Sequence, residues 1–228
     1  MIRGAAGIAV VVALAGVGRT ASSDTAALSL RATITSAATA GLPTEASAKV
    51  GALTITLSRW STDAERTPLL TAFTAPPPAP AAPAARTPPA GRGAARGRGG
   101  RGAPPPPPPS PLARLSAAIK AAPTLGYIWT DGVTGYSIKY AWRSTAAQDT
   151  ERIVLVTERR LDSHAPDWSP ASSAAGDADF TLIELRIDRQ GVGEGKTSLT
   201  TSVAIDTDAA TLALDGYAAA PAFLKVTR

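Results

Sequence analysis

A single histidine, no cysteine and a few acidic pairs are what this chain offers for side-chain chemistry. His164 lies beside Ser163 and near Asp167, the residue types of a base, a nucleophile and an orienting acid. Triads assemble in space rather than in sequence, and the chain has no Gly-x-Ser-x-Gly turn to present a serine. A surface-loop histidine is therefore the expectation for His164. One histidine without thiolates falls short of a zinc set, and the lack of cysteine excludes disulfides and cysteine nucleophiles. Asp177 with Asp179, and Asp206 with Asp208, could each begin a calcium loop, but neither pair continues into its ligand spacing. Both read as turn residues at strand ends.

Gly191-Val192-Gly193-Glu194-Gly195-Lys196-Thr197 ends like a phosphate loop. That motif needs a glycine five positions before Gly195, where Gln190 stands, and it must open a helix whose N-terminus holds the anion. Residues 197–206 alternate as a strand instead, so the glycines read as turn and bulge residues and nucleotide binding is not expected. Trp60, Tyr127, Trp129, Tyr136, Tyr140 and Trp142 form the main aromatic inventory. Most such side chains pack in a core with their polar tips on a partner. The functional alternative is a pocket lined by these six, between sheet and helices, for a small apolar or sugar ligand. No pattern here calls for a cofactor.

These residues depend on a β framework. From 177 to 206 the chain reads as two long strands around a glycine-rich turn. Ile183, Leu185 and Ile187 share one parity and Glu184, Arg186 and Asp188 the other; Leu199, Thr201, Val203 and Ile205 repeat the pattern in the second arm. Leu28, Leu30, Ala32 and Ile34, then Leu53, Ile55 and Leu57, mark two earlier strands. Gly126–Thr130 is a short one, and Tyr136, Ile138, Tyr140 and Trp142 share a face of the next. The continuous apolar run 153–156 predicts a central strand covered on both faces. Leu212 with Leu214, and residues 223–226, complete the series.

Between them lie two helical pieces. Thr62 with Glu65 forms a capping box, although Pro68 then falls inside the helix; the competing register starts at Thr67 with Pro68 first. Ser110-Pro111 opens the second piece, whose Leu112, Leu115 and Ile119 share a face. The fold class is mainly β: an antiparallel β-sandwich or barrel-like curved sheet with a helical hairpin insertion.

Residues 75–111 hold 14 of the 20 prolines, six glycines and five arginines, with no acid. Such a tract cannot bury enough apolar surface to offset its ordering entropy, so a disordered insertion at the tip of the helical hairpin is expected. With those arginines set aside, the remaining basic and acidic residues are equal in number, so the net charge of +5 describes the insertion rather than the fold. Its arginine–glycine run lacks the interleaved aromatics that stack on RNA. Nucleic acid is not an expected partner; weak attraction to anionic lipid or polysaccharide is the alternative to a solvated linker. At the start, Arg3, an apolar run from Ala5 to Val17 and small polar residues at 20–23 give the pattern of a secretory leader, which an uncleaved anchor would share.

The organisation expected is a signal peptide (1–23), N-terminal strands and the first helical piece (24–74), the insertion (75–111), and the second helix with the remaining strands of the same domain (112–228). The blocks Ser58-Arg59-Trp60-Ser61-Thr62-Asp63-Ala64-Glu65-Arg66, Gly126-Tyr127-Ile128, Arg152-Ile153-Val154-Leu155, and Phe180 to Arg186 with Gly193-Glu194-Gly195-Lys196 resemble a group of uncharacterised exported bacterial proteins. The likeness covers most of residues 50–225 and implies a leader and a shorter helical connection in place of the insertion. It brings no activity and no site residues. The functional expectation is an exported, periplasmic or extracellular, soluble non-enzymatic protein that binds a small apolar ligand or an envelope component, without stable membrane insertion once its leader is removed. The alternative is a structural or protein-interaction module, and a third reading is a hydrolase using His164 or a carboxylate pair. An interior cavity lined by the tyrosines and tryptophans would favour the first; a filled core with an exposed apolar patch or sheet edge would favour the second.

Overall fold

Alternating apolar and polar residues give strands β1 (Leu28–Ile34) and β2 (Ala52–Leu57) one buried and one exposed side, and the two pair antiparallel with Leu30 opposite Ile55. The computed structural model describes residues 28–34, 51–76, 107–130, 135–145, 149–161, 178–220, 222 and 224–228. The leader, most of the insertion, the loop carrying His164, and Asp177 lie outside the described residues. Six further strands join the first two: β3 (Gly126–Thr130), β4 (Gly135–Thr145), β5 (Glu151–Thr157), β6 (Thr181–Ile187), β7 (Val192–Thr197) and β10 (Leu224–Thr227). They close an antiparallel barrel in the order β1-β10-β7-β6-β5-β4-β3-β2. The curved-sheet expectation thus resolves to a closed barrel, in which every strand is paired on both sides.

An eight-stranded barrel is just wide enough for side chains to fill. Here Leu30, Ile55, Ile128, Ile153, Leu185 and Val226 point inward with their neighbours as one buried cluster, and Trp60, Leu125, Leu161 and Leu199 join it from connecting segments. Where β7 has no inward side chain, others occupy the space: a Cβ on Gly195 would fall 2.5 Å from Leu185 Cδ2. The interior is apolar, where the lumen of a transmembrane barrel is polar, and β2, β3 and β10 hold six, five and four residues where a bilayer strand needs about nine to eleven. No helix among the described residues is long and apolar enough to cross a membrane.

A second layer covers the outside of β4–β6. Helix α1 (Asp63–Thr74) starts at Thr62 with both bonds of the capping box formed, so Pro68 does lie inside it. Helix α2 (Pro111–Ala121) is capped by Ser110. Arg114, in its first turn, donates to the carbonyls of Ala72 (3.0 Å) and Ala75 (2.5 Å) at the end of α1, which fixes the two helices as an antiparallel hairpin and satisfies orphan acceptors there. Beside the helices lies a two-stranded ribbon, β8 (Val203–Asp206) with β9 (Thr211–Leu214). Leu69, Leu115, Ile119, Leu212 and Leu214 form the second buried cluster with Val154, Val156 and Leu182 of the barrel wall. Strand β5 is therefore covered on both faces, as its apolar run predicts.

Three expectations change. The second arm of the long hairpin is not one strand: β7 ends at Thr197, a turn follows, and β8 leaves the barrel to pair with β9. Leu199 packs in the barrel, whereas Val203 and Ile205 pack on the outer cluster, so they do not share one face. The hairpin turn, at 188–191, takes only the first glycine of the run, Gly191 at φ 82°, as a turn residue; Gly193 to Thr197 are themselves strand. Finally, the register of β4 shifts between Ile138 and Tyr140. This irregularity turns Tyr140 and Trp142 outward while Tyr136, Ile138 and Ala141 stay inside, so the four residues of common parity divide between the two clusters.

Candidate functional site

The six aromatics do not line one pocket. Tyr136 is inside the barrel, its hydroxyl donating to the Leu161 carbonyl at 2.8 Å. Trp60 closes the interior near one end, beneath the Arg143 guanidinium at 4.9 Å from its ring centre. Tyr140 and Trp142 lie on the outer wall under the second layer. Tyr127 and Trp129 are 43 % and 44 % exposed and, with Val192, are the exposed large hydrophobics of the described residues. These last two alone among the six present rings to solvent.

Their position follows from alternation. Ile128 points into the core, so its neighbours on β3 point out, with ring centroids 5.4 Å apart and tilted by 37°. The Trp129 ring lies over Gly135 of β4, where a Cβ would sit 2.9 Å from Trp129 Cζ3. Cross-strand register extends the face. One row runs Ser29, Thr56, Tyr127, and the next Arg31, Thr54, Trp129. Ser29, Arg31, Thr54 and Thr56 are all exposed. Among the described residues the outward side chains of β1, β2 and β3 include no carboxylate, and Arg31 has no ion-pair partner. The result is a face of two rings, several hydroxyls and one guanidinium.

A second group of polar residues is enclosed between the barrel wall and the β8–β9 ribbon. Glu184 on β6 has no exposure and takes Arg152 Nε at 2.9 Å, Arg152 Nη2 at 3.2 Å, Arg186 Nη2 at 3.1 Å and the Leu214 amide at 3.3 Å. Arg152 also reaches Asp206 at 2.5 Å, which holds the Asp206 carboxyl below the usual carboxylate range. Trp142 sits between two guanidinia, Arg152 at 5.7 Å and Arg66 at 5.8 Å. Tyr217 lies under Arg186 at 3.7 Å and Lys196 at 4.5 Å; burial pushes its hydroxyl far above the ordinary tyrosine value. Acids and bases in this group face one another, and their bonds tie the ribbon to the wall. Asp206, besides binding Arg152, accepts from the Ala209 amide at 3.0 Å, so it closes the β8–β9 turn. Asp179 pairs with Lys120 at 2.7 Å at the surface.

Sequence reasoning missed this group. Glu184 and Arg186 belong to the polar parity of β6, which a half-buried strand turns to water; Arg186 does stay exposed, but the ribbon that buries Glu184 comes from a segment expected to continue the same hairpin. Register sets Arg186 directly opposite Arg152 and Glu184 opposite Val154, so the Arg152–Glu184 contact is a diagonal one that follows from strand pairing and had no local sequence signal. Lys196 of the phosphate-loop look-alike lies in strand, with Nζ donating to the Tyr217 carbonyl at 2.8 Å. Compared with known proteins, the chain matches no family model, no curated protein and no solved structure.

Proposed function

We propose that this is an exported, non-enzymatic β-barrel module of the bacterial envelope, and that it works by surface recognition through the exterior of β1–β3. One observation carries the reading: the exposed large hydrophobics of the described residues include two aromatic side chains side by side on that face, their rings tilted by 37°. Tyrosine and tryptophan offer rigid, amphipathic contact area at low entropic cost, and exposed aromatic pairs rimmed by polar groups mark interaction sites. The packed interior, with side chains such as Leu185 and Leu224 filling the space over Gly195, argues against a small apolar ligand held inside the barrel. Paired strand edges all round the barrel argue against a partner that adds a strand. The inward apolar sidedness supports a protein that does not insert in a bilayer through these strands.

The test is cosedimentation of the processed protein with purified envelopes of the producing cells. Tyr127→Ala with Trp129→Ala is expected to abolish it, and substitutions on the far side, such as Asp208→Ala, to leave it intact. Undiminished cosedimentation of the aromatic variant would overturn the reading. Native mass spectrometry of the same material is expected to give a processed mass with no small-molecule adduct.

A further inference from the structure

Resting on that reading, we infer that the partner of the β1–β3 face is an acidic polysaccharide, whose sugar rings lie on Tyr127 and Trp129 and whose carboxylates meet Arg31. The two rings together expose on the order of 200 Å² of apolar surface, given the 150–250 Å² that such side chains carry. A stable protein interface needs roughly 800 Å² on each side with an apolar centre, and on the β1–β2 side of these rings the described outward residues are hydroxyl-bearing ones, Ala52 and Arg31. A pyranose matches this surface better. Its C–H face is apolar and stacks on an aromatic ring, and its edge carries hydroxyls that donate and accept.

The spacing fits a polymer rather than a single sugar. Tyr127 and Trp129 are successive outward residues of one strand, with centroids 5.4 Å apart, comparable with one sugar unit. Thr56 and Ser29 continue the Tyr127 row, and Thr54 and Arg31 the Trp129 row, so a chain lying along β3 over both rings has hydroxyls and one guanidinium on its β2 side. Charge selects the acidic class. Arg31 is exposed with no ion-pair partner among the described residues, and no carboxylate on β1–β3 would repel a uronate. A guanidinium also takes a carboxylate with two parallel bonds.

Affinity electrophoresis of the processed full chain, through gels containing alginate or neutral hydroxyethylcellulose, tests this. Alginate is expected to retard the protein. Tyr127→Ala with Trp129→Ala should weaken retention at least tenfold, about 1.4 kcal/mol, with an unchanged thermal melt. Thr56→Glu, which leaves both rings in place, should weaken it as well by setting a carboxylate beside them. Arg31→Ala should weaken it at low salt and matter less at high salt. Retention on alginate that survives loss of both rings would reduce the effect to bulk charge and overturn the inference. Retention on the neutral glucan alone, or on neither gel, would also overturn it. If neither gel retains the protein while envelope cosedimentation still depends on Tyr127 and Trp129, the recognition face stands and its partner is not a polysaccharide of this class.

Discussion

Replacing Arg152 by methionine keeps most of its volume and removes its charge, which isolates what the guanidinium does. Three hydrogen bonds go: two to Glu184, at 2.9 and 3.2 Å, and one to Asp206 at 2.5 Å. Glu184, with no exposure, keeps Arg186 at 3.1 Å and the Leu214 amide at 3.3 Å, but Arg186 is 44 % exposed and therefore screened. Breaking a buried pair from one side costs roughly 3–5 kcal/mol. The surviving partners put Arg152→Met near the lower end, about 3 kcal/mol. The reverse side of the same physics concerns the double variant. Arg152→Met with Glu184→Met removes the orphaned charge and leaves mainly the Leu214 amide without its acceptor, a cost of about 1–3 kcal/mol. The double variant should therefore be more stable than Arg152→Met alone. Urea unfolding of the three proteins, with m-values compared to establish that the end states match, measures this. A single variant within 1 kcal/mol of the parent, or a double variant less stable than the single, would refute the reasoning.

Glu65 is held near a pKa of about 2, first by its hydrogen bonds from Arg59, against the usual carboxylate value. A folded-state value below the unfolded one gives stability that is complete above the unfolded pKa and lost as pH falls through the folded one. Unfolding free energy should thus decline between about pH 5 and pH 2; because the pair is largely solvated, Glu65→Gln should cost only about 1 kcal/mol at pH 7, with the difference vanishing near pH 2. Gly193→Ala would set a Cβ 2.0 Å from the Arg186 carbonyl oxygen in the partner strand, so it should destabilise by about 2 kcal/mol or more, read by thermal or urea unfolding. Arg114→Ala strips two carbonyl contacts at the end of α1 and should cost about 1–2 kcal/mol, seen as an earlier loss of helical circular dichroism. Replacing residues 77–106 by a short glycine–serine link should leave stability within about 1 kcal/mol, because loop closure depends only logarithmically on length.

Period-two alternation made β1, β2, β3 and the inward set of β6 legible, since each has one face on a core. The apolar run of β5 predicted two covered faces, and the capping box set the start of α1 despite Pro68. What alternation cannot carry is a change of phase. The irregularity in β4 reverses the sides of Tyr140 and Trp142, and nothing in the residues around Lys139 announces it. In the 197–206 stretch, Leu199 and Val203 have the same parity, yet the intervening turn sends one into the barrel and the other onto its outside. Glycine misled in the other direction: Gly193 and Gly195 read as turn residues, but they are strand positions where a carbonyl or a leucine side chain comes too close for a Cβ. The recognition face was half legible. Tyr127 and Trp129 were among the six aromatics, but their exposure depends on the fact that, among the described residues, no second layer lies over β3, a tertiary fact. The hydroxyl rows beside them depend on cross-strand register.

The most direct test of the recognition face uses a photo-crosslinking residue placed singly at positions 127, 129 and 208 in the protein expressed with its leader in the cells that produce it. Adducts at 127 and 129, with none at 208 beside the β8–β9 turn, are the predicted result. Adducts at 208, with none at 127 or 129, would contradict the account and move the site of recognition to the opposite side of the molecule.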